Sequence, residues 1–207
     1  MYTPSGRVDA GSGRRRIGVR VLIGLFLAAS QLGGAAAPAL ASATASASLS
    51  TEVAVLLKIL TFDQTTPGRA EDELLIVVIE QPRESTSVAA ATDVLQELAP
   101  YEGQTVAGRR LRAERRAIRD LLARDDGSVE VVYLTEGVQG SIPEILEWTR
   151  RNGCLSFAGV PGWERRGIGI WLGEKDNSPN IMVNLLQVRG EGREFDARFL
   201  AVATLQQ

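Results

Sequence analysis

Apolar and polar positions fall along the chain in blocks whose length and period select the elements. Leu74-Leu75-Ile76-Val77-Val78-Ile79 is an unbroken apolar run, closed by Pro82. A β-branched run without polar alternation suits a strand covered on both faces, as in a parallel sheet. Val129-Glu130-Val131-Val132-Tyr133-Leu134 reads as a second strong strand, and residues 154–158 as another. Between these runs the period changes to that of a helix. Over residues 87–98, Val88, Ala91, Val94, Leu95 and Leu98 gather on one side. Residues 114–123 do the same with Ala117, Ile118, Leu121 and Leu122, predicting a second amphipathic helix. Ser141, Pro143 and Glu144 open a third by cap, first-turn proline and capping-box spacing, and Asn152-Gly153 closes it.

The remaining blocks extend this order. Ser50 or Thr51 caps a helix running to about residue 61, in which Glu52 and Lys58 are the only charges. Its apolarity on nearly all sides means either burial on several faces or a surface for self-association. Residues 105–113 read as a shorter strand. Residues 168–172 and 181–184 read as two strands joined by the polar turn 173–180, an antiparallel edge hairpin. Residues 195–205 read as a closing helix. Strand and helix alternate at least four times from Leu74 onward. The prediction is an α/β fold: a single three-layer domain with a mostly parallel sheet, helices on both faces and an antiparallel C-terminal hairpin.

The first 41 residues have a different pattern. Arg14, Arg15, Arg16 and Arg20 precede a nine-residue apolar run over 21–29, and Ala39-Leu40-Ala41 supplies a small-residue cleavage site. That order predicts a secretory signal peptide over 1–41. Ser30 and Gln31 interrupt the run well before the length a membrane span needs. An Ala/Ser/Thr-rich flexible lead-in over 42–48 and a domain over 49–207 follow, so the mature protein is expected to be exported across the inner membrane. The segment carries five Arg and one Asp, so its removal leaves 18 basic and 24 acidic residues, net −6.

Composition narrows the chemistry further. There is no histidine, which excludes Ser-His-Asp triads, Cys-His dyads and His-ligated zinc. The single cysteine, Cys154, excludes an internal disulfide and a CxxC redox pair. A near-neutral balance, net −2 for the full chain, argues against general nucleic-acid binding, which needs a basic field. No catalytic residue, metal ligand or cofactor motif is nominated. The densest charge run, Arg109 to Arg124, reads best as a solvated face partly offset by Glu114 and Asp120. The most unusual stretch is Gly159-Val160-Pro161-Gly162-Trp163-Glu164-Arg165-Arg166-Gly167, between two predicted strands. It is either a tight connection needing positive φ or a ligand loop at a strand's carboxyl end, with Trp163 and the Arg pair holding an anionic or aromatic group.

The same stretch, continued by Ile168-Gly169-Ile170, then Ile181-Met182-Val183-Asn184-Leu185 and Phe199-Leu200-Ala201-Val202-Ala203, resembles the YfiR family of exported bacterial proteins, also called HmsC-like. The first helix, Val106-Ala107-Gly108-Arg109 and Val131-Val132-Tyr133-Leu134 agree with it. The resemblance implies a periplasmic, non-enzymatic α/β protein, often dimeric, here with the first helix as the dimer surface. It implies as partner an inner-membrane diguanylate cyclase or sensor kinase, whose output of cyclic-di-GMP and biofilm it controls, and an outer-membrane lipoprotein as a second partner. The positions matched to the family's loop are Gly162, Glu164, Arg165 and Gly167, with Asn184 on the strand that follows; with Trp163 and Arg166 they form the candidate partner or ligand site. Two features depart from the family: no internal disulfide is possible, and the first helix runs into Phe62-Asp63 rather than a Trp-Pro pair.

Overall fold

The apolar run at Glu73–Glu80 forms β1, and six of its eight residues are buried. Its side chains alternate between two cores: Leu74, Ile76 and Val78 face one, Leu75, Val77 and Ile79 the other. A strand with two dry faces needs a layer of helices on each. The computed structural model describes residues 37–66, 72–175 and 178–206, without the side chains of 37–48 and 174–178. Of the segment read as a signal peptide, 1–41, residues 1–36 lie outside the described residues and 37–41 lie in the helix Ala37–Leu60.

In chain order the elements are α1 Ala37–Leu60, β1, α2 Ser85–Leu98, β2 Thr105–Val106, β3 Arg109–Ala117, α3 Ile118–Leu122, β4 Val129–Leu134, α4 Ile142–Asn152, β5 Leu155–Ala158, β6 Ile170–Lys175, β7 Ser178–Asn184, α5 Leu185–Gly190, α6 Ala197–Leu200 and β8 Thr204–Gln206. One eight-stranded sheet has the order β2-β3-β1-β4-β5-β6-β7-β8. β3, β1, β4, β5 and β6 are mutually parallel, while β6 and β7 form the antiparallel hairpin. The expected three-layer α/β architecture is therefore present. α1, α2, Val188 of α5, Phe195 and Phe199 pack on one face, and α3, α4, Trp163 and Trp171 on the other.

Five stretches differ from the sequence reading. Residues 42–48, read as a flexible lead-in, lie within α1, which begins at Ala37. Residues 105–113 split at Ala107-Gly108, which both have positive φ and turn β2 onto β3. Glu114 to Ala117 continue β3 instead of starting a helix, because they pair in parallel with Val77 to Glu80. Sheet pairing here outweighs the helical pattern read over 114–123. Residues 195–205 form only the short α6 before β8, which pairs with β7, so the hairpin is not the sheet edge. α5 appears where no helix was read, capped by the Asn184 side chain accepting from Gln187 N at 3.0 Å.

Candidate functional site

The chain passes from β1 to β3 on one side, then returns to β4 on the other side of β1. Ligands in open α/β sheets bind outside the carboxyl ends of the strands at such a reversal. Directly between β1 and β4 the protein closes this end with its own groups. Thr135 Oγ1 donates to Ile79 O at 2.7 Å, and Ser87 Oγ accepts from Gln81 N at 2.9 Å. Gly137, at φ 91°, packs against Ser87, where a Cβ would come within 2.6 Å of the Ser87 Cβ.

One strand further on, the end stays open. β4 finishes at Tyr133-Leu134 and β5 at Ala158, followed by the glycine-rich loop. Glu52 reaches this place from α1. Tyr133 Oη donates to its Oε1, and Gly159 lies so close that any Cβ there would run into the carboxyl. A cavity of about 560 Å3 opens on one side, bounded by Glu52, Pro161, Glu164, Trp171 and Leu172. A second, of about 310 Å3, lies toward α2 and is bounded by Glu52, Asp93, Tyr133 and Glu136. Burial pushes the Glu52 carboxyl up to about 7, the Tyr133 hydrogen bond opposing this only in part. Burial, then the adjacent Glu52, hold the Tyr133 hydroxyl well above its ordinary range.

A second cluster of charge is built at the opposite, amino-terminal ends of the strands. β4 bulges opposite Leu75-Ile76, its register passing from Val129 to Val131, which leaves Glu130 out of the ladder sequence. Its fully buried side chain meets the guanidinium groups of Arg109 and Arg193. Arg193 Nη1 also meets Asp63 Oδ2 at 3.0 Å, and its Nη2 donates to Glu130 O at 2.8 Å. These groups bind each other and fasten the α1–β1 connection and the C-terminal segment to the sheet. Among the described residues no group of three or more His, Cys, Asp or Glu is arranged to hold a metal ion.

A family model described as YfiR/HmsC-like matches residues 50–204. The chain belongs to the YfiR/HmsC-like family. The matched span of this YfiR/HmsC-like chain takes in both cores, Glu52 and the glycine-rich loop. A comparison with curated proteins finds no match. Among solved structures it resembles a conserved domain protein of Vibrio cholerae, with 14% identity and TM-score 0.53, over 77% of this chain and 60% of that one. It resembles a Streptococcus pneumoniae ABC domain in complex with L-Trp, with 9% identity and TM-score 0.52, over 76% and 59%. It also resembles CD0873, a substrate-binding protein with adhesive properties from Clostridium difficile, with 15% identity and TM-score 0.50, over 65% and 54%. The chain thus spans 54–60% of the length of these proteins, and at such identity the likeness is one of fold.

Within this YfiR/HmsC-like fold the residues singled out from sequence divide into three groups. Gly162 and Glu164 line the larger cavity. Arg165 and Arg166 are exposed on the loop, and Gly162 and Gly167 take positive φ to shape it. Trp163 packs into the α3–α4 core and Asn184 caps α5, so both act on architecture. Of the arginine run, Arg109 and Arg116 are buried in ion pairs, while Arg110, Arg112, Arg115 and Arg119 lie exposed beside carboxylates. Along the side-chain-described part of α1 the exposed residues are Ser50, Thr51, Ala54 and Lys58, and the Leu, Val and Ile side chains pack within the chain. Glu52 was not singled out from sequence. Its signal was that of a lone carboxylate in an otherwise apolar stretch of helix. Among the described residues no helix is long and apolar enough to cross a membrane.

Proposed function

We propose that this protein is a non-enzymatic periplasmic regulator that binds an inner-membrane signalling protein, a diguanylate cyclase or a sensor kinase, and modulates its output. The observation that carries this reading is the YfiR/HmsC-like match across nearly the whole described domain. An apolar signal-type segment ahead of that domain supports export. Partner contact through the loop bearing Arg165 and Arg166, an outer-membrane lipoprotein as a second partner, and a homodimer across the Thr51, Ala54 and Lys58 stripe belong to the same proposal. Cyclic-di-GMP measured in deletion and overexpression strains tests it, alongside phosphotransfer by co-encoded kinases. Lower output when the protein is abundant and higher output in the deletion are expected. Unchanged output in both strains would sink the reading.

A second reading is favoured by the open crevice at the carboxyl ends of β4 and β5: a lobe that binds a small ligand. It is compatible with regulation, since a ligand held beside α1 stabilises one arrangement of that helix. A ligand-dependent rise in melting temperature is its signature. Because Trp163 packs into the core, Glu52 rather than Trp163 is the residue to substitute.

A further inference from the structure

The two cavities beside Glu52 share a wall and a charge pattern. Both are bounded by Glu52, Gly159 and Pro161. The acidic side chains facing them are Glu52 from α1, Asp93 from α2, Glu136 after β4 and Glu164 from the loop. No described Lys or Arg side chain lines either cavity, in a chain with 23 basic residues. An anion entering here would meet only carboxylates, an unfavourable encounter at low local dielectric. Trp171, Leu172 and Pro161 add an apolar wall. The Trp171 indole is fixed, its Nε1 donating to Val160 O at 2.8 Å and its ring lying over Gly173. Glu52 is likewise held in place, by the Tyr133 hydroxyl on one side and the bare Gly159 on the other. The site is thus a fixed carboxyl group at the rim of an apolar chamber, at the sheet end where ligands bind.

We propose that these adjoining cavities bind a small organic cation, an ammonium carried on an apolar body. Its nitrogen sits against the Glu52 carboxylate, and its apolar part lies along Trp171, Leu172 and Pro161. Burial strips water from the carboxylate, and an ammonium replaces part of what that water supplied. The groups facing Glu52 are Tyr133, Asp93, Glu136 and Glu164, none of them basic, so the cation meets no competing charge among the described side chains. Binding draws Glu52 into its ionised form and therefore tightens as pH rises through about 7. This inference rests on the reading of the crevice as a ligand site and is independent of the membrane partner.

The test is isothermal titration of the protein purified from its own host with three probes of one shape: phenethylamine, 3-phenylpropionate and phenethyl alcohol. The amine is expected to bind at least about tenfold more tightly than the carboxylate or the alcohol, and more tightly at pH 8 than at pH 6. Glu52→Gln, which keeps a partner for the Tyr133 hydroxyl, should weaken the amine about tenfold with the fold intact by circular dichroism. Gly159→Ala, whose added methyl displaces the carboxyl, should do the same. Equal binding of the three probes, or amine binding unchanged in Glu52→Gln, overturns the cation assignment while leaving a ligand lobe standing. No binding of any probe at about 10 mM overturns both.

Discussion

Glu52 and Glu130 are both carboxylates withdrawn from water, and their neighbours set them apart. Glu130 meets two guanidinium groups; Glu52 meets a hydroxyl and a glycine. Removing the Glu130 charge leaves Arg109 and Arg193 short of a partner inside the protein, where an unbalanced charge is costly. Glu130→Gln should therefore lower unfolding stability by about 3–5 kcal/mol in urea titrations. Glu52 works in the other direction. Its folded value of about 7 lies above the ordinary 4.5, so between those pH values the folded chain holds a proton the unfolded chain has released. Stability from this group is fully present below pH 4.5 and is lost as pH rises through about 7. After allowance for its partial exposure the loss is on the order of 1–2 kcal/mol. Urea unfolding at pH 5 and pH 8 should show it in the wild type, and Glu52→Gln should remove that part of the difference. The buried Glu191, also raised by burial, contributes with the same sign and stays in both proteins.

At the scale of elements, two glycines separate the cost of backbone conformation from the cost of space. Gly153 closes α4 in the left-handed region at φ 65°, with its N–H bonded to Thr149 O. Gly137 also has positive φ, but in addition presses on Ser87. Gly153→Ala should cost about 1 kcal/mol, the usual conformational charge for a side chain there. Gly137→Ala should cost more, because Ser87 must also move and with it the bonds to Gln81 and Thr135. Chemical denaturation of the two variants side by side checks the ranking. The end of α4 was legible in Asn152-Gly153, and β1 and β4 in their apolar runs. The end of β3 was not. Ala117, Ile118, Leu121 and Leu122 have the spacing of a helix face, and what makes Glu114 to Ala117 a strand is β1 alongside.

Over the whole molecule the same division holds. The uninterrupted apolar run of β1, set among helical periods, pointed to a sheet covered on both faces, because a layer on each side is what buries such a strand. The absence of histidine and the single cysteine removed whole classes of chemistry. The glycine-rich loop announced a constrained path at a strand end, and its resemblance to the YfiR family agrees with the family match. These are local or compositional properties, and local sequence determines them. Which groups meet is a different matter. Glu52 and Gly159 are 107 positions apart, and Arg193 reaches Glu130 across 63. Nothing in the intervening sequence records either approach. Strand order, the bulge that turns Glu130 inward, the burial of Trp163 and the placing of Glu52 over the ends of β4 and β5 all depend on how the layers close. Sequence by itself determined the main strands and helices, the fold class and the excluded chemistry; tertiary packing decided where β3 ends and where the charges lie, because a residue's surroundings are set by segments remote along the chain.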